Sequence, residues 1–151
     1  MLYMKDGKTY STPIVLTVDG RKIYTNDNEK IISAGYHEYI APERSVESRI
    51  ADAERSINRE TDNKILNDFA WNGNEFYLTM ENQTNFANMF VAKEYLQYPV
   101  TIKTKTGFVE LENQAEVTEF YLAGINFIKT CLEDGWRKKA EAAEAIMNGE
   151  A

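Results

Sequence analysis

The sequence predicts an α+β protein. A small N-terminal β-hairpin module over residues 1–42 is followed by a helix–hairpin–helix–hairpin–long helix domain over 43–151. Three observations predict this class. Two Asp-Gly pairs and one Asn-Gly pair lie between β-rich runs, the signature of tight hairpin turns. Apolar residues also recur at helical spacing in separate stretches. Finally, 43% of the 151 residues are apolar and 12% aromatic, enough to build a packed core rather than a disordered chain.

In the N-terminal module, Leu2-Tyr3-Met4-Lys5 and Lys8-Thr9-Tyr10-Ser11 flank Asp6-Gly7. After Pro13, Ile14-Val15-Leu16-Thr17-Val18 and Arg21-Lys22-Ile23-Tyr24-Thr25 flank Asp19-Gly20. Both read as hairpins. Thr25 to Asp27 offer N-cap oxygens for a short helical turn over Glu29–Ala34, which Gly35 can end in the left-handed conformation. An extended run, Tyr36-His37-Glu38-Tyr39-Ile40, then stops at Ala41-Pro42.

Ser45 caps the next helix, where Val46, Ile50, Ala53 and Ile57 repeat at spacings of four, three and four. That narrow stripe suits one partner helix, in the same chain or in another copy, and it weakens over Glu60-Thr61-Asp62-Asn63-Lys64. Phe69-Ala70-Trp71 and Glu75-Phe76-Tyr77-Leu78 flank Asn72-Gly73-Asn74, a hairpin read with one extra turn residue. Trp71, Phe76 and Leu78 are expected on its buried face. Thr79 caps a helix expected to run to about Tyr98, where Pro99 ends it. Val100–Lys103 and Phe108–Leu111 form a further hairpin around Gly107.

Asn113, with Glu116 three residues on, opens the last helix as a capping-box variant. Its stripe is Val117, Phe120, Tyr121, Gly124, Phe127, Ile128, Cys131 and Leu132, and an Ala-rich tail extends it past Trp136. Unbroken over 114–147, it would be roughly 50 Å long at about 1.5 Å per residue. Either it breaks near Gly135, or its tail packs on the 46–60 helix or on a neighbouring subunit.

Catalytic equipment is sparse. Cys131 and His37 are the sole residues of their types, and there is no phosphate loop or nucleophile motif. Cys131 reads as a small buried hydrophobe, and a lone histidine cannot build a His-based metal site. The acidic pairs Glu110 with Glu112 and Glu60 with Asp62 could in principle face each other, but a chain with 24 acidic residues places such pairs on its surface by chance. The expectation is a non-enzymatic protein without cofactor or metal. A net charge of −7 argues against binding nucleic acid, and Arg137-Lys138-Lys139 reads as a solvated helix face beside Glu133, Asp134, Glu141 and Glu144. Neither a membrane-spanning run nor a signal-peptide pattern is present, so a soluble chain made in a reducing cytoplasm is expected.

From Arg49-Ile50-Ala51-Asp52-Ala53 through the hairpin Trp71–Thr79 to the stretch from Asn113 to Trp136, the chain resembles an uncharacterised domain family encoded beside bacteriophage tail-fibre genes. The stretches Tyr3-Met4-Lys5-Asp6-Gly7, Ser11-Thr12-Pro13-Ile14 and Ala34-Gly35-Tyr36 are similar to a leader joined to that domain in phages of gut Bacteroides. The resemblance implies a phage tail or tail-fibre context and supplies no catalytic residues. Its expectation is a virion structural adaptor, synthesised in the host cytoplasm, with tail or tail-fibre proteins as partners. An assembly chaperone acting in that cytoplasm is the alternative. A homo-oligomer is also expected, a trimer first, with interface candidates Val46, Ile50, Ala53 and Ile57 on one helix and Phe120, Phe127, Ile128 and Trp136 on the other.

Overall fold

A computed structural model describes residues 1–150. The chain is α+β, 49% helical and 23% strand, and forms two compact units, Met1–Arg44 and a second beginning at Ser45.

In the first unit, β1 (Leu2–Lys5) lies between β2 (Lys8–Ser11) and the two-residue β5 (His37–Glu38) in an antiparallel sheet. The second hairpin, β3 (Ile14–Val18) with β4 (Arg21–Thr25), forms a separate ladder. Both turns take positive φ at both central residues: Asp6 and Gly7 at 52° and 74°, Asp19 and Gly20 at 49° and 75°. This is the twist-matched geometry that Asp-Gly adopts at little cost. The short helix α1 (Asn28–Ser33) is capped by Asp27, whose side chain accepts from the amides of Glu29 and Lys30. Tyr3, Ile14, Leu16 and Ile31 form the core, with Ala34 and Tyr36 against them. Tyr3 is fully buried, and its hydroxyl donates to Asn28 Oδ1 at 2.8 Å, which satisfies the one polar atom the ring carries inside.

The second unit is built on α2 (Val46–Asn67) and the 34-residue α4 (Gln114–Met147). Ser45 caps α2 by accepting from the Ser48 amide, and Asn113 caps α4 by accepting from the Glu116 amide. The Glu116 carboxylate reaches back to the Glu112 amide at 2.7 Å. Between the two helices come the hairpin β6 (Phe69–Trp71)/β7 (Asn74–Phe76), helix α3 (Met80–Val91), and the hairpin β8 (Val100–Lys103)/β9 (Phe108–Leu111).

Phe120 is the centre of this core. Its ring lies 4.8 Å from Phe86, 5.1 Å from Phe76, 5.4 Å from Trp71 and 5.9 Å from Phe69, all edge-on or tilted, the arrangement aromatic quadrupoles favour. One α4 side chain thereby gathers β6, β7 and α3. Leu78, Ile102, Leu111 and Val117 complete the cluster.

Helices α2 and α4 run antiparallel. Glu60 meets Lys138, Thr61 meets Gly135, and Lys64 lies near Cys131. A Cβ built on Gly135 would sit 2.6 Å from Thr61 Oγ1, so the glycine lets the two backbones approach closely. The aromatic cluster reaches along α4 to Ile128 and back along α2 to Ile65. Past that level the two helices continue together as an arm, in which Ile146 is buried.

Three expectations need correction. Helix α2 runs to Asn67 rather than fading near residue 60; the stripe looked weak there because its inward residue is the polar Thr61, facing a glycine. Helix α3 stops at Val91, short of Tyr98. The Ala92 amide donates to Asn88 and Phe90, the Lys93 ammonium to the Phe90 carbonyl, and the Tyr98 hydroxyl to the Lys93 carbonyl, so local bonds close the helix despite a helix-prone Lys-Glu pair. The Asn72-Gly73 turn has no extra residue, since Trp71 pairs directly with Asn74, and φ is 48° and 75° at its two positions. Of the alternatives expected for α4, the structure shows packing on α2: the helix passes Gly135 unbroken and its tail lies along α2.

Phe120→Ala is expected to cost about 3–5 kcal/mol, the range for deleting a large buried aromatic, measured by denaturant unfolding. A second test concerns Gly135. In wild type, the helix-propensity gain of Gly135→Ala should be cancelled or reversed by the clash with Thr61. In a Thr61→Ala background the same substitution should stabilise by about 1 kcal/mol, read from paired thermal melts.

Candidate interaction surfaces

Two surfaces stand out, one on each unit. On the first, an open groove of about 800 Å³ lies between the β3–β4 hairpin and α1. Along β3, Ile14 and Leu16 turn into the core while Val15 and Thr17 point out; Ile23 pairs with Leu16 across the ladder. Val18 and Ile23 line the groove and remain 48% and 36% exposed. This hairpin extends past the four core residues and so carries apolar side chains that the unit itself leaves uncovered. Lys5 and Tyr36 form the opposite wall. The Lys5 ammonium donates to the Ala34 carbonyl at 2.6 Å and lies 4.8 Å from the centre of the Tyr36 ring, so it serves the end of α1 as well as the groove. The β3–β4 ladder has two strands, hence free backbone edges on both sides, the feature that strand-addition partners use.

On the second unit the surface is a row along α4. Leu122, Ile125, Lys129, Leu132 and Trp136 follow spacings of three, four, three and four, the repeat of a two-helix seam. At 3.6 residues per turn this row lies about 150° round the helix from the core row of Phe120, Gly124, Phe127 and Cys131. Leu122 is 48% exposed, Ile125 43% and Trp136 61%. The sequence pattern hid the row behind the stronger core stripe on the same helix, into which Leu132 was read; Trp136 alone was named as an interface candidate. Next to it, Tyr121 stacks on Phe90 of α3 at 4.5 Å, fixing the neighbouring helix.

The expected interface residues divide unequally. Phe120 is 1% exposed, and Phe127 and Ile128 pack on the aromatic cluster, so these three hold one chain together. Ile50, Ala53 and Ile57 are half-buried on α2, whose partner is α4 of the same chain. Val46 and Trp136 are exposed. The α2 stripe is therefore partly covered by α4 of the same chain, and a more exposed apolar row lies on α4 itself.

Charge decorates the arm rather than building a reactive centre. Lys138 donates to Glu60 at 2.9 Å and lies 3.3 Å from Asp134, while Arg137 pairs with Asp134 and Glu141. The Lys138 ammonium holds the Glu60 carboxyl below its ordinary range; Arg137, then Lys138, does the same for Asp134. Their partners in turn raise Lys138 and Arg137. These are exposed pairs of modest worth, and Glu60–Lys138 bridges α2 to α4. Burial pushes the Cys131 thiol up, the opposite of what a nucleophilic cysteine requires. Asp62, Glu110 and Glu112 are exposed, and His37 is exposed on β5. Among the described residues, no group of three or more His, Cys, Asp or Glu is placed to hold a metal ion, and no helix is long and apolar enough to cross a membrane.

Comparison with known proteins yielded no match to any family model, curated protein or solved structure.

Proposed function

We propose that the chain is a bacteriophage virion structural protein, a small adaptor at the tail or at a tail-fibre attachment point. The observation that carries this reading is the pair of uncovered apolar surfaces, one on each compact unit: the groove beside β3–β4 and the row along α4. An adaptor must hold two things. A chain with free strand edges and a groove on one unit, and an apolar helix row on the other, offers two chemically different docking surfaces. The likeness of the N-terminal stretches and of the helix–hairpin pattern to phage tail-associated sequences supplies the context. A tail-fibre assembly chaperone, active in the host cytoplasm and absent from the finished particle, would use the same surfaces and is the second reading.

Quantitative mass spectrometry of purified phage particles separates the two. The adaptor should be present at a fixed ratio to the major tail proteins after repeated density-gradient purification. Abundance in the infected-cell lysate with loss from the particles would reject the adaptor in favour of the chaperone.

A further inference from the structure

We infer that the α4 row is the contact between two copies of this chain, joined antiparallel about a two-fold axis level with Thr130 and Cys131. The proposal does not rest on the phage role, but it bears on it: with the α4 row taken by a second copy, the dimer offers its two β3–β4 grooves to other partners. Three features of the row carry the proposal.

First, the spacing is that of a helix seam, and the apolar members Leu122, Ile125, Leu132 and Trp136 remain exposed or half-buried after the chain has folded. The core of the unit does not use them, since its α4 members lie on another face of the helix. Second, the row is complementary to itself when one copy is reversed. An axis level with residues 130 and 131 sets Ile125 against Trp136 of the second copy, and Leu132 against the aliphatic stem of its Lys129. The same operation sets Leu122 beside the stem of Lys139. Every large apolar side chain of the row thus meets a partner, and an isologous contact closes at two copies.

Third, the charges choose the direction. Lys129 and Glu133 lie one turn apart on α4, 3.5 Å from each other. In the antiparallel pairing, Lys129 faces Glu133 of the second copy and Glu133 faces its Lys129, making a four-charge cluster of alternating sign. A parallel, in-register pairing would instead stack lysine on lysine and glutamate on glutamate, which a helix seam disfavours. The arrangement therefore commits to a second copy of this chain, running in the opposite direction.

The test uses the full chain. Sedimentation velocity at micromolar concentration should give the mass of two chains. Lys129→Glu should weaken the dimer about tenfold or more, as should Glu133→Lys, and the double exchange should restore it, because rim charges set partner orientation in this way. Trp136→Ala should weaken it at least as much, by loss of an aromatic anchor of the kind that dominates interfaces. Circular dichroism and thermal melts of each variant check that the fold is retained, which the exposure of these positions favours. A single-chain mass for the wild type overturns the proposal. So does a dimer indifferent to Trp136→Ala and to both single charge changes. Lys129→Gln should also weaken the dimer, and tightening by it would reject the antiparallel direction, since loss of both lysine charges relieves like-charge contact only in a parallel seam.

Discussion

The packing of four aromatic rings around Phe120 is the interaction on which the second unit depends. A two-stranded hairpin such as β6–β7 is marginal alone, and a 12-residue α3 lies at the limit of independent helicity. Neither has a reason to persist without a surface to cover. Phe120 supplies it, with Phe69 and Trp71 from one strand, Phe76 from the next and Phe86 from α3 all meeting one side chain. Backbone bonds then fasten what the rings have gathered. The Leu78 amide donates to the Leu66 carbonyl, and the Lys105 amide to Glu75, so the ends of α2, β7 and the β8–β9 turn are tied to one another.

The second constraint is the close approach of α2 and α4. Thr61 opposite Gly135 brings the helices together where a larger residue would force them apart. The small side chains Ala53, Ala142 and Ala145 on these helices suit the same narrow spacing. Such a contact buries little area per residue, and α2 contains no fully buried side chain. The helix pair is held along its length by many partial contacts and by the Glu60–Lys138 bridge, in contrast to the enclosed aromatic cluster beside it.

Much of this fold was legible in the sequence because its signals are local. Three Xaa-Gly turns required positive φ at consecutive residues, and three hairpins formed there. Ser45, Thr79 and Asn113 announced helix starts and cap them. What was illegible depended on side-chain contacts that no periodicity states. The end of α3 is closed by the Tyr98 hydroxyl binding the Lys93 carbonyl in the turn, and the α2 stripe continues through Thr61, whose partner Gly135 lies far along the chain. The candidate surfaces were harder still. A periodic stripe states that a helix face is apolar but not whether the chain covers it; Ile50 and Phe127 were covered, whereas Leu122 and Ile125 carried a second stripe hidden beside the first.

The division of α4 between core and arm has a consequence for how firmly its two halves are held. Its first half is locked into the aromatic cluster and can open only when that cluster does. Its second half has α2 as its companion, with few enclosed side chains, and local opening costs least where buried apolar contacts are fewest. Backbone amides of the two halves should therefore exchange with solvent on different schedules, although the helix is continuous. A surface mounted across that junction has one end fixed in register and one end able to adjust, so a partner can be met accurately at Ile125 and accommodated at Trp136.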